Sequence, residues 1–219
     1  IVQDIGIKMP SVINGTFSEG DDEVEIGTGT IQQPEYPSYF YYDYGYFGQI
    51  YTATEIGVSQ PITITAVRFN MGESAGAETM NNQTLKLGQV NQDQFDINIR
   101  NDFTQVPLQP VPWLSSNITT VKSNFTWTVP NTGQGWLEIQ LDTPYLYDPT
   151  ATNGNLLLIW ENQDGSYTFG STSPWALSST SGTLFRSYYD YQDFSMPPLT
   201  SYGTRDSSGR PNIQIVYSV

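Results

Sequence analysis

The chain of 219 residues contains neither histidine nor cysteine. It therefore lacks the usual general base near neutral pH, the thiolate nucleophile and the two usual protein ligands of zinc. A Ser-His-Asp triad, a Cys-His dyad and a conventional zinc or non-haem iron centre are excluded on that ground alone. Acid–base work would fall to paired carboxylates. Glu138, Glu161 and Asp164 stand near predicted strands. A glycosidase would need two such groups facing one cleft, about 5–10 Å apart. No tight E-x-D-x-x-E motif occurs, and "ENQDG", 161–165, reads as a hairpin turn with Asp-Gly at its tip. The expectation is a protein without intrinsic catalysis.

Hard cations are the remaining cofactor class. Asp21, Asp22 and Glu23 cluster, as do Asp148, Asn153 and Asn155. Calcium takes six to eight oxygens, often from loops of this kind. Neither cluster has the spacing of a known calcium loop, so solvated acidic turns are the favoured reading and calcium at Asp148, Asn153 and Asn155 the weaker one. Asn14, Asn82, Asn117 and Asn124 begin N-x-[ST] sequons. Four is about what chance gives, and they matter only in a host that glycosylates asparagine.

The aromatic residues are the more distinctive resource. "YPSYFYYDYGYFGQIYTATEIG", 36–57, holds seven of the fifteen tyrosines. Tyr and Trp offer large contact area at low entropic cost, which suits sugar stacking and protein interfaces alike. Tyr39, Tyr41, Tyr42, Tyr44 and Tyr46, with Trp113 and Trp175, fall in loop-like segments and are the candidate contact residues. "SYYDYQDF", 187–194, shares their character. Tyr51 and Tyr189 lie inside strand-like runs, where packing is the expected role.

The elements that must position these residues are strands. Apolar alternation recurs between Gly, Pro, Asn and Asp clusters, and helical periodicity is nearly absent. Val24 and Ile26 share a face. Ile62 and Ile64 point inward before the phase switches to Val67, Phe69 and Met71, which a bulge near Ala66, or burial on both faces, would produce. Leu85 and Leu87 alternate with polar residues, as do Ile97 and Ile99. Leu137, Ile139 and Leu141 form one face of another strand, ended by Asp142-Thr143-Pro144. Asp148 to Asn155 reads as a turn into "NLLLIW", 155–160, an unbroken apolar run typical of a central strand covered on both sides. "LFRSYYDY", 184–191, and "NIQIVY", 212–217, close the series. The three prolines of "VPLQPVPWLSS", 106–116, make that stretch an extended loop. The prediction is an all-β antiparallel sandwich of about eight to ten strands. Residues 1–22 form an N-terminal extension or edge strand, and 23–219 a single domain large enough to fold without staples.

Eight basic against 22 acidic residues give a formal charge of −14. Such a chain is repelled by nucleic acid and by anionic membranes. No apolar run approaches the ~18 residues of a spanning helix. Nucleic acid and membrane insertion are therefore not expected partners.

Ordered fragments carry a further expectation. "EIGTGT" (25–30) is followed by an aromatic loop and "GQIYTATEIG" (48–57), then by "ITAVRFNM" (64–71) and "QTLKLGQVNQDQF" (83–95). "GQGWLEIQLDTPYLYDPTATNGNLLLIWENQDGSY" (133–167), "FRSYYDY" (185–191) and "GRPNIQI" (209–215) complete the order. This series resembles a β-sandwich module of secreted, multidomain surface proteins of Bacteroidetes-type bacteria, akin to adhesin and carbohydrate-binding modules. The resemblance implies a jelly-roll-like fold, a secreted or cell-surface location and no catalysis. It names no ligand. The functional expectation is a structural or adhesive surface subunit working through protein partners, by self-association or within a surface assembly. The alternatives are a carbohydrate-binding module that takes glycans, and a phage or viral virion-surface protein.

Overall fold

A computed structural model describes residues 21–72, 78–95, 118–130, 135–167, 176–179, 182, 184–198, 203–206 and 208–219. Residues 1–20 and 106–116, with Ile97 and Ile99, lie outside them, as do the roles expected of those stretches. The elements in chain order are β1 (Asp22–Ile26), β2 (Ile31–Gln33), β3 (Tyr44–Tyr51), α1 (Ala53–Ile56), β4 (Ile62–Met71), β5 (Glu78–Val90) and β6 (Ile118–Val129). They continue with β7 (Gly135–Tyr147), β8 (Asn155–Asn162), β9 (Ala176–Ser179), β10 (Ser187–Gln192), β11 (Thr204–Asp206), β12 (Arg210–Pro211) and β13 (Ile213–Ser218).

Two antiparallel sheets pack face to face. The first carries β1-β13-β4-β7 side by side, extended by the short strands β9, β12 and β2. The second runs β11-β10-β3-β8-β5-β6. Setting aside β2, β9, β10, β11 and β12, the chain crosses between β1-β13-β4-β7 and β3-β8-β5-β6 at every connection but the one from β5 to β6. This is the two-Greek-key order of a jelly roll. The described residues hold thirteen strands, more than the eight to ten expected. β10 falls in the predicted run 184–191, whereas β2, β9, β11 and β12, of two to four residues, are too short to show alternation in the sequence.

The core between the sheets is aromatic at one end. Trp160 of β8 packs against Trp127 with ring centroids 4.7 Å apart, against Phe125 at 5.5 Å and against Phe69 at 5.8 Å. Strand β8 is buried along its whole length after Asn155. Leu156, Leu158 and Trp160 enter the inter-sheet core, while Leu157 and Ile159 join a second cluster with Ile50, Val90, Phe95 and Tyr188. An unbroken apolar run is what burial on both faces requires.

The phase switch in β4 is a bulge. Val216 pairs with Ala66 and Tyr217 with Ile64, leaving Thr65 unopposed, and its hydroxyl donates to the Val216 carbonyl at 3.3 Å. On the other side Ile64 pairs with Tyr145 and Ala66 with Gln140. Residues 141–144 thus bow out of the ladder opposite one residue of β4. Asp142-Thr143-Pro144 therefore does not end β7, which resumes pairing at Tyr145 and runs to Tyr147. Pro144 is tolerated because the bowed segment has no ladder partner to lose. The turn from Asp148 to Asn155 delivers the chain into β8, crossing from the first sheet to the second. "ENQDG" turns as expected, with Gly165 at φ +70°, but it is no hairpin: β8 pairs with β3 and β5, whereas β9 belongs to the other sheet.

"GQIYTATEIG" holds a device the alternation did not reveal. Thr52 and Glu55 form a capping box around the single turn of α1, and Gly57 closes it at φ +72°. The Glu55 carboxylate also accepts from Arg210 at 2.7 and 3.0 Å and from Arg186 at 2.7 Å. Arg210 lies over the Tyr51 ring, 4.5 Å from its centroid, and donates to the Ile50 carbonyl at 2.7 Å. Tyr51 is fully buried and donates to the Pro211 carbonyl at 3.0 Å, so its structural role is confirmed. This clamp ties α1 and β3 to the approaches of β10 and β13.

Candidate functional site

The loop between β2 and β3 carries "PEYPSYFYYD", and it is anchored at two points. Tyr36 is fully buried, its hydroxyl 3.1 Å from the Asp206 carboxylate that accepts from it, and its carbonyl accepts from Ala176 N at 2.8 Å. The Tyr36–Pro37 peptide bond is cis. Phe40, also buried, enters the core against Trp127 at 5.8 Å. The spacing 36, 40 puts two rings inward and leaves the intervening and following tyrosines outside.

Those tyrosines meet strand β10. Tyr42 stacks on Tyr191 with centroids 4.1 Å apart and planes at 29°. Tyr191 stacks on Tyr189 at 5.4 Å and 11°, and Tyr39 meets Tyr191 edge-on at 5.2 Å. Tyr41 lies 5.9 Å from Tyr39, 5.4 Å from Tyr42 and 6.3 Å from Tyr167. Tyr36 closes the other end against Tyr189 at 6.2 Å. Seven rings thus form one continuous band in which each adjacent contact adds about 0.5–1.5 kcal/mol beyond area burial. Gly45 pairs across the ladder with Tyr191, and a Cβ there would come within 2.7 Å of the buried Phe47 ring.

A buried polar relay fixes the loop to the core. Trp160 Nε1 donates to Gln83 Oε1 at 2.6 Å, and Gln83 Nε2 to Asn162 Oδ1 at 2.7 Å. Asn162 Nδ2 then donates to the Tyr42 carbonyl at 3.0 Å. The 163–167 segment is fastened to the same loop, since Gly165 N donates to the Asp43 carbonyl at 3.0 Å. Tyr167 is thereby brought beside Tyr41.

The band is partly open to solvent. Tyr41 is 38 % exposed and Tyr167 58 %, while Phe194 nearby in the chain to Tyr191 is 92 % exposed. Its surroundings are acidic. Burial pushes the Glu35 carboxyl above its ordinary range, its own backbone N–H opposing and the charge of Asp206 adding to the rise. Burial also raises Asp164, against hydrogen bonds from Asn81, and the Asp43 charge adds to the rise. Burial raises the Tyr39 hydroxyl as well, followed by the charge of Glu35.

The candidate residues fare differently. Tyr39, Tyr41 and Tyr42 are in the band. Tyr44 is half-buried beside Gly165. Tyr46 is buried on the outer face of the second sheet, across from Glu161 and Asp190, and presents little surface to a partner. Trp113 and Trp175, like Asn14 and Asn117, lie outside the described residues. Tyr167, Tyr191 and the acidic rim were missed as one site, because only the fold brings segments more than a hundred residues apart together. Tyr189, expected only to pack, belongs to the band as well.

The carboxylates do not converge. Glu138 faces outward from the first sheet, bonded to Arg68 at 2.8 Å, and Glu161 outward from the second, bonded to Lys86 at 2.5 Å. The two lie on opposite faces of the sandwich. Asp164 accepts from Asn81 N at 3.0 Å. Asp148 Oδ1 accepts from Thr150 N and Oγ1, Asn153 Nδ2 donates to the Gln89 carbonyl, and Asn155 Oδ1 accepts from Ala53 N. All three calcium candidates take part in local hydrogen bonds, and no cluster of three acidic groups able to hold a metal occurs among the described residues. Asn82 and Asn124 are exposed and sit at φ +51° and +52°, beside irregular pairing of β5 and β6. Asparagine tolerates that left-handed backbone better than most residues. No helix among the described residues is long and apolar enough to cross a membrane.

No protein-family model matches the chain, and no curated protein or solved structure shows similarity to it.

Proposed function

We propose that this protein is a non-catalytic surface module that binds a protein partner through the tyrosine band, as a structural or adhesive component of an extracellular assembly. The observation that carries the reading is the band itself. Rigid tyrosines anchored by Tyr36, Phe40 and the Trp160–Gln83–Asn162 relay present ring area to solvent without losing further side-chain freedom on binding. Tyrosine-rich, preorganised patches are where contact energy concentrates in protein interfaces. The jelly-roll frame agrees with the surface-protein resemblance of the ordered fragments, which also supplies the expectation of a secreted or surface location.

Photo-cross-linking tests this. A benzophenone amino acid placed at Tyr41 or Tyr167 in the producing cells is expected to yield a protein adduct of one defined mass. The same group at Leu146, 69 % exposed on β7, is expected to yield none. Absence of adducts at the band, or equal adducts at Leu146, would overturn the reading.

A further inference from the structure

The charges around the band say what kind of partner it takes. Five cationic side chains among the described residues are already paired: Arg68 with Glu23 and Glu138, Lys86 with Glu161, Lys122 with Asp142, and Arg186 and Arg210 with Glu55. None of these pairs reaches Glu35, Asp43 or Asp164. Gly165 N donates to the Asp43 carbonyl at 3.0 Å and Phe194 N to the Asp43 carboxylate at 3.3 Å, which sets the 163–167 segment and Asp43 side by side; the Glu35 charge is felt at Tyr39 and Tyr191, and the Asp43 charge at Asp164. Asp193 stands exposed beside Phe194. The aromatic surface is therefore flanked by carboxylates that none of these five cations neutralises.

A second copy is a poor occupant. It would bring an equally acidic rim against this one, with a formal charge of −14 on each chain, and like charges facing across an interface disfavour the pairing. A neutral glycan would gain ring stacking but leave the acidic rim uncompensated. A guanidinium satisfies both features: its flat face stacks on tyrosine, and its edge bonds carboxylates in pairs.

We infer that the tyrosine band is a receptor for arginine side chains on an extended, basic segment of the partner protein. This rests on the proposed contact role of the band and specifies the chemistry of its occupant. Arginines would lie over Tyr41, Tyr42 and Tyr167, with Asp43 and Asp164 meeting their N–H edges.

Fluorescence anisotropy with a labelled peptide of four arginines spaced by Gly-Ser tests it on the full chain at ~150 mM salt, where long-range attraction is largely screened. Saturable binding is expected. It should weaken at least tenfold for the Tyr41→Ala/Tyr167→Ala pair and by a similar factor for Asp43→Asn/Asp164→Asn. The Asp21→Asn/Asp22→Asn control removes the same charge elsewhere and should leave affinity within twofold. The matched lysine peptide should bind several-fold more weakly, and the citrulline peptide should not bind. The inference is overturned by no saturable binding, by equal binding of the lysine peptide, or by an equal loss in the control variant. It is likewise overturned by tyrosine-dependent binding of a neutral oligosaccharide in place of the arginine peptide, or by dimerisation abolished by Tyr41→Ala/Tyr167→Ala. Cross-links at Tyr41 and Tyr167 without arginine-peptide binding would overturn this inference alone; absence of those cross-links would overturn the contact reading itself.

Discussion

Arg210→Ala is expected to destabilise the protein by about 3 kcal/mol, the low end for truncating one member of a buried, hydrogen-bonded ion pair, because Glu55 is partly exposed and keeps Arg186. Arg210 is 6 % exposed. Its loss strips Glu55 of two charge-assisted bonds, the Ile50 carbonyl of its donor and the Tyr51 ring of its cation. For a domain of this size the melting temperature should fall by roughly 10 °C, read by calorimetry. Arg210→Lys should recover part of the loss only, since an ammonium cannot reproduce the planar fork. The same clamp predicts an acid response. Burial alone would raise the Glu55 carboxyl, but the bonds and charge of Arg210, with the Thr52 donors, hold it down to about 2 from an ordinary 4.5. A carboxylate depressed in the folded state contributes stability that is present above its unfolded value and is lost as pH falls through its folded one. Wild type should therefore lose stability progressively between pH ~4.5 and ~2. Glu55→Gln should be less stable at neutral pH and show a shallower decline over that window. Identical pH profiles for the two proteins would contradict the assignment.

Trp160→Ala is expected to cost about 3–5 kcal/mol, the range for deleting a buried indole from a close-packed core. Phe69, Phe125 and Trp127 would lose their shared partner. The Gln83 carbonyl oxygen would lose its donor at the same time, and through Asn162 the effect reaches the Tyr42 carbonyl. Trp160→Phe should cost less overall, about 1–3 kcal/mol, since it keeps most of the ring but leaves Gln83 unsatisfied. Amide hydrogen exchange provides the second readout. In Trp160→Phe, protection in residues 39–46 should drop further than in β4 or β13. A uniform drop across the sandwich would mean that Trp160 acts on global stability only.

Much of the frame was legible because it follows from periodicity. The alternation in β1, β5 and β7 assigned inward faces that the sheets confirm, and the apolar run 155–160 marked the doubly covered strand. The shift at Ala66 announced the Thr65 bulge. What escaped was whatever depends on a partner far along the chain. Pro144 looked like a terminator because the sequence does not show that residues 141–144 bow out opposite a single residue of β4. Tyr46 looked like its loop neighbours, yet it begins the alternation of β3 and is buried on the outer face of its sheet. The Glu55–Arg210 clamp joins positions 155 residues apart; only the T-x-x-E capping box at Thr52 hinted that Glu55 had a structural task. The tyrosine band is intermediate. Its two halves, 39–42 and 189–191, were both conspicuous, but their union depends on the β3–β10 pairing.

The central claim is that the band, on this frame, carries the contact with a partner. The most direct measurement is the affinity of the captured partner for wild type, for Tyr41→Ala/Tyr167→Ala and for Leu146→Ala, by calorimetry with the purified proteins. The expected result is a loss of tenfold or more for the tyrosine variant, measured well below its lowered melting temperature where it is still folded, and wild-type affinity for Leu146→Ala. Equal affinity of all three proteins would contradict it.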